Sequence, residues 1–244
     1  MIGPAAVQTS PVRWAGARRI FRSLFPPIDL FEDIADPEDW PLLINAEQKT
    51  NPRLMETLGA LDLVPPKRRV GGPGASYLMA PFTHVSPDRP SRFTDGMGYG
   101  VLYVAEHFET ALFETMHHHA CFMMRTKEAP GWTSEFQELV MDLHATLHDL
   151  RGNDAVSSAL DPDSYVYSQN LAQGLRAAGS NGLVYPSCRH PGGQCAGLFY
   201  PDVADKPIQG RHLDYHWDGT RIALYRETGT RKVFRVDWIA TGIR

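Results

Sequence analysis

Along the middle of the chain the apolar residues change period. The run GVLYVA, residues 100–105, is continuous, β-branched and aromatic, and bounded by glycine, which predicts a short buried strand. From His107 to about Met124 the apolar positions fall instead at Phe108, Ala111, Leu112, Thr115, His119, Phe122 and Met123, the spacing of one helix face. At about 100° per residue Glu114 lies roughly 120° from the centre of that face, where a carboxylate can border a cleft without entering the core. Further on, ELVMDLHATLHDL (138–150) alternates like a strand, although His144 and His148 also share a helical spacing. The stretch from Ser164 reads as a helix over 164–178, a Gly-Ser-Asn-Gly turn, a strand over 182–187, a Pro/Gly loop and a strand over 195–200.

Upstream, SYLMAPF (76–82) is apolar, aromatic and bounded by glycine and proline, and predicts another strand. Before it, Asp36-Pro37 and Asn51-Pro52 each place a capping residue ahead of a proline suited to the first helical position, so two short helices are expected. Gly59 would end the second, and Pro65-Pro66 with GGPG at 71–74 interrupts regular structure until about Ala75. Residues 36–74 are thus expected as a helical insertion. Hairpins mixed with helices predict an α+β fold, a compact mixed sheet flanked by helices, rather than a doubly wound parallel one.

A length of 244 residues suits a single domain spanning 1–244. No apolar run approaches the roughly 18 residues of a membrane span, and the N-terminus lacks a signal-peptide core, so a cytoplasmic protein is expected. Three cysteines are too few for a disulfide framework and read as buried thiols. The net charge of −4 gives no case for direct nucleic-acid binding. Residues 1–28 are different, holding Arg13, Arg18, Arg19 and Arg22 and no acid; they form either a solvated arm or a grip for phosphate or an acidic partner.

The candidate chemistry narrows by elimination. His117, His118 and His119 are consecutive, so on a helix they diverge and cannot chelate one ion together, and His144-x-x-x-His148 lacks the glutamate of a metalloprotease motif; no metal is expected. YPSCRHPGG around Ser187 is not a nucleophile elbow, and GGPGAS has no nucleotide-loop spacing. There remain Arg92, Tyr103 eleven residues on, Glu114 another eleven on, and Ser187 at the end of a later strand.

These residues carry a resemblance. Residues 91–115, SRFTDGMGYGVLYVAEHFETALFET, and 182–200, GLVYPSCRHPGGQCAGLFY, resemble the RES domain, and the likeness extends to RRIFRSLFPPIDLFE (18–32), TNPRLMETLG (50–59) and QGRHLDYHWDG (209–219). The family's usual Gly-Gly-Arg-Trp-Asn block reads here Pro90-Ser91-Arg92-Phe93-Thr94. The resemblance implies a fold similar to ADP-ribosyltransferases and a bacterial toxin that destroys NAD⁺ at the nicotinamide–ribose bond, by hydrolysis or phosphorolysis, with NAD⁺ as substrate and no cofactor. It places the family's first arginine on Arg19, with Arg22 close by as the alternative, its second on Arg92, its tyrosine on Tyr103, its glutamate on Glu114 and its serine on Ser187. Glu114 would stabilise an oxocarbenium-like ribose, Arg19 and Arg92 would take the pyrophosphate, Tyr103 or Phe93 would stack on nicotinamide, and Ser187 would offer a hydroxyl to the amide or ribose. The implied partner is an Xre-like helix-turn-helix antitoxin, and a homodimer is compatible with the reading. Transfer of ADP-ribose to a macromolecule and a non-enzymatic adaptor role are the alternatives.

Overall fold

The computed structural model describes residues 7–24, 37–40, 42, 45, 58–230 and 232–236. In chain order these give β1 (Thr9–Arg22), α1 (Ala75–Thr83), β2 (Leu102–Ala105), α2 (Phe108–Met123), β3 (Thr133–Asp149), α3 (Val166–Ala177), β4 (Gly182–Pro186), β5 (Gln194–Leu198), β6 (Ile208–Trp217), β7 (Ile222–Glu227) and β8 (Lys232–Arg235), with short 3₁₀ turns between. The sheet runs β1-β2-β5-β4-β3-β6-β7-β8, and β1 also pairs with β3 along almost its whole length, so part of the ladder closes on itself. Among the described strands only the β3–β4 pairing is parallel. The expected α+β class is what the structure shows.

The basic N-terminal segment is a strand, not a solvated arm. Its burial alternates through Val12 and Trp14, and a bulge between Trp14 and Ala17, where Gly16 takes φ +71°, then shifts the alternation. That shift hides the period of two in the sequence. It leaves Ala17 and Phe21 facing the core under α1, and Ile20 facing the core under α2.

SYLMAPF is also corrected, because it lies in the helix α1. Ala75, Leu78, Met79 and Phe82 are buried together, a helical spacing, and they close the second core alongside Trp40 and Leu58. Pro81 comes late in the nine-residue helix and costs it one main-chain bond. The following chain then crosses closely: a Cβ on Gly100 would lie 2.0 Å from the Pro81 carbonyl oxygen. Of the helical insertion, the helix starts at Asp36 and Asn51 lie outside the described residues; Leu58 is helical, and Gly59 ends that helix at φ +69°, as expected.

The remaining expectations over 100–198 hold. β2 and α2 fall where the period changes, and ELVMDLHATLHDL lies in β3, seventeen residues long with Phe136, Leu139, Met141, Leu143 and Leu147 buried. Each such side chain contributes about 1.5–3 kcal/mol by leaving water.

A polar clamp joins the ends of three strands. Asp149 accepts from Ser10 Oγ at 2.7 Å and from Arg151 Nη2 at 2.6 Å, and Arg151 Nη1 donates to Gln194. Burial alone would raise the Asp149 pKa, but the hydrogen bonds from Arg151 and Ser10 outweigh it and hold the carboxyl at about 2. An acid depressed below its unfolded value of about 3.9 adds stability above that pH, and the contribution is lost as pH falls towards the folded value. Asp149→Asn should therefore lower the thermal midpoint at pH 7 by roughly 2–4 °C, about 1 kcal/mol, with the gap to wild type closing between about pH 4 and 2. A gap that stays constant across that range in a calorimetric pH series would remove the carboxylate's charge from the explanation.

Candidate active site

The sheet opens where β1 leaves β2, since those strands pair only at Arg18 and Ala105. A cleft of about 330 Å³ occupies this seam. It is lined by Arg18, Arg19 and Ile20 of β1, Tyr103 and Ala105 of β2, Glu114 and His118 of α2, and Arg92 and Tyr165.

Behind its Glu114 wall, Ser187, which is not a lining residue, donates from Oγ to Glu114 Oε1 at 2.6 Å. The same hydroxyl oxygen accepts from the backbone N–H groups of Arg189, at 3.1 Å, and His190, at 2.9 Å. The single hydroxyl proton is thereby spent on the carboxylate, so Ser187 aims Glu114 rather than reaching into the cleft itself, a correction to the role expected for it. The loop after Ser187 is tied to α2, with Thr110 Oγ1 2.9 Å from His190 Nδ1 and the Phe113 ring stacked on His190 at 5.1 Å. Gly193 permits the approach, because a Cβ there would meet Thr110 Oγ1 at 2.5 Å. Two residues 73 apart in sequence thus sit in hydrogen-bond contact, with Glu114 still 21 % exposed.

The arginines are held differently from one another. Arg92 is buried; its Nη1 donates to the carbonyls of Ala159 at 3.1 Å and Asp161 at 2.7 Å, and its guanidinium lies 4.7 Å from the centre of the Tyr165 ring. Among the described residues its Nε and Nη2 make no hydrogen bond. Arg18 faces Glu138 at 3.5 Å. Arg19 donates to the Tyr103 carbonyl at 3.3 Å and has no acidic partner among the described residues. Burial pulls its guanidinium down to about 10, so it remains a cation at neutral pH, desolvated and uncompensated. Arg22 lies instead against the Phe122 ring and is not among the residues lining the cleft, whereas Arg19 is.

The aromatic residues divide in an unexpected way. Phe93 has no exposed surface; its ring is packed against Tyr185 and Tyr103 and under Gly197, so it cannot stack on a ligand. Tyr103 lines the cleft with its ring, but its hydroxyl accepts from the Phe93 N–H at 2.9 Å and bonds Ser91 Oγ at 2.8 Å. Burial raises its pKa far above the usual phenol value. Tyr103 thereby pins the 91–94 turn that carries Arg92. Thr94 helps: its Oγ1 donates to the Tyr99 carbonyl at 2.8 Å and accepts from Gly96 N–H at 3.1 Å. From α3, Ser168 Oγ donates to the Arg92 carbonyl at 2.6 Å.

The profile of the RES domain matches residues 66–218. The chain belongs to the RES domain family. The Sinorhizobium fredii protein y4oC is 28 % identical over 213 residues, covering 84 % of each chain. Among solved structures, a chain of the M. tuberculosis MbcT–MbcA toxin–antitoxin complex overlaps 87 % of this chain and 88 % of its own, with 11 % identity and a TM-score of 0.47.

The RES match spans Arg92, Tyr103, Glu114 and Ser187, and Arg19 lies before it. Arg18, His118 and Tyr165 also line the cleft, and sequence reasoning did not single them out. A period-of-two reading of β1 could have found Arg18, but its bulge conceals the alternation; Tyr165 enters through a loop with no signal of its own. Burial pushes the Tyr185 hydroxyl and the Cys195 thiol well above their ordinary pKa values, so both stay neutral. Among the described residues no three His, Cys, Asp or Glu side chains converge as a metal site, and no helix is long and apolar enough to cross a membrane.

Proposed function

We propose that this RES protein cleaves the nicotinamide–ribose bond of NAD⁺ and acts as the toxin of a toxin–antitoxin pair. The observation that carries the reading is the Ser187-held carboxylate of Glu114 at the wall of a cleft that also holds Arg19 and Arg92. Breaking the C1′–N bond sends its electron pair to the nicotinamide ring nitrogen, which departs neutral and needs no general acid. The positive charge left on the ribose needs a fixed anion close by, and Glu114 supplies one whose orientation is set before substrate arrives. The pyrophosphate needs cations: Arg19, without an acidic partner among the described residues, and the Arg92 guanidinium suit it through charge-assisted hydrogen bonds. Tyr103 and Tyr165 are the rings available to stack on the planar ends of the substrate.

A cytoplasmic enzyme that consumes NAD⁺ requires restraint, and the RES resemblance supports an Xre-like antitoxin that covers the cleft. Purified protein incubated with NAD⁺, with and without phosphate, is expected to release nicotinamide together with ADP-ribose or its 1″-phosphate, detected by mass analysis. Expression without a partner should lower cellular NAD⁺ and arrest growth. Transfer of the label to a macromolecule would replace the reading with ADP-ribosyl transfer, and absence of nicotinamide release would favour an adaptor.

A further inference from the structure

The histidine triplet is separated by the turn of α2. His119 is buried against Phe136, with ring centres 4.9 Å apart, and His117 Nε2 lies 3.6 Å from Cys121 Sγ. Among the three only His118 lines the cleft; its side chain is 60 % exposed, and its Nε2 is 3.8 Å from Glu114 Oε2. The two oxygens of Glu114 are therefore differently placed: Oε1 is bound by Ser187, and Oε2 stands beside an imidazole one helical turn away. At 3.8 Å the pair is beyond hydrogen-bond length, so neither Oε2 nor Nε2 is consumed by the other.

This arrangement solves a problem in the proposed reaction. If Glu114 both stabilised the ribose cation and took the proton of the attacking hydroxyl, it would lose its negative charge while that charge is needed. Two adjacent titratable groups can divide those tasks. We propose that His118 is the base that accepts the proton of the acceptor hydroxyl attacking C1′, while Glu114 remains ionised; this rests on the NAD⁺-cleaving reading above. In the step, the C1′–N bond breaks with its electron pair going to nicotinamide, an oxygen lone pair of the acceptor forms the C1′–O bond, and the acceptor's proton passes to Nε2. The resulting imidazolium lies beside the Glu114 carboxylate and returns its proton to solvent through its exposed face.

The step requires neutral imidazole with the proton on Nδ1. The charged and titratable groups around it are Glu114 and His117 on α2, Arg189 and Arg92 from neighbouring segments, and Arg18, Arg19, Tyr103, Tyr165, Tyr185 and Cys195 lining the same cleft. Desolvation does most to hold its pKa below the usual imidazole value; Glu114 favours the protonated form, and Arg189 and Arg92 oppose it.

The test is kcat and KM for nicotinamide release from NAD⁺ across pH 5 to 9, for wild type, His118→Gln and His118→Ala, with thermal midpoints measured alongside. In wild type, kcat should fall on the acid side as the imidazole protonates. His118→Gln should lower kcat about 100-fold with KM little changed and should abolish that acid limb, and added imidazole should restore part of the His118→Ala rate. A folded His118→Gln protein with wild-type kcat, or with a reduced rate but the same acid limb, overturns the assignment while leaving NAD⁺ cleavage standing. Wild-type protein that releases no nicotinamide at any pH overturns both.

Discussion

Glu114→Gln is expected to slow nicotinamide release by about 100-fold or more while leaving the thermal transition in place. The substitution keeps the shape and keeps an oxygen that can accept from Ser187 Oγ, whose bond to Oε1 is 2.6 Å, so the loop after Ser187 and its contacts with α2 should survive. In the proposed reaction, what disappears is the fixed negative charge opposite the developing ribose cation. A loss confined to kcat/KM through KM would be the signature of ground-state binding instead, whereas an equal fall in kcat and kcat/KM marks an interaction made in the transition state. Turnover within threefold of wild type in a protein that melts normally would take Glu114 out of the chemistry.

Arg19→Met should separate function from stability. Arg19 is a desolvated cation whose one hydrogen bond among the described residues is a 3.3 Å contact to the Tyr103 carbonyl. Desolvating a charge without an acid beside it costs stability even where the side chain keeps some exposure, and an apolar side chain of similar length removes that cost. The thermal midpoint should therefore stay the same or rise. A charge-assisted hydrogen bond to phosphate is worth about 1.5–3 kcal/mol, so KM for NAD⁺ should rise by roughly 10- to 150-fold. The combination of tighter fold and weaker substrate binding is the mark of a residue kept for a ligand. Lower stability with unchanged KM would show that Arg19 serves the sheet.

How much of this was legible before the fold can be argued from particular segments. The strand at 102–105 and the unit of α3, β4 and β5 are legible because apolar runs and flanking glycines or prolines agree, and α2 is legible from its period alone; of β3 only 138–150 reads as a strand, and there His144 and His148 leave a helical spacing open. β1 did not, since one bulge at Gly16 moves the alternation out of step. SYLMAPF pointed the wrong way because a short apolar run fits a buried strand or a buried helix equally well, and only packing under the closed ladder chose the helix.

The site divides in the same manner. The residue types of the family pattern, Arg92, Tyr103, Glu114 and Ser187, are written in the sequence, as is the position of Glu114 on the flank of an amphipathic helix, because a local period is enough to place a side chain on its own element. Their roles were decided elsewhere. Ser187 spends its proton on Glu114, the Tyr103 hydroxyl holds the Arg92 turn, Phe93 is sealed in the core, and Arg19 rather than Arg22 enters the cleft. Each of these depends on which atoms from distant segments compete for the same hydrogen bond or the same space, and a single hydroxyl proton or a fully packed ring cannot serve a ligand as well. Sequence period sets where a side chain points from its own backbone; only the tertiary structure sets what it meets there.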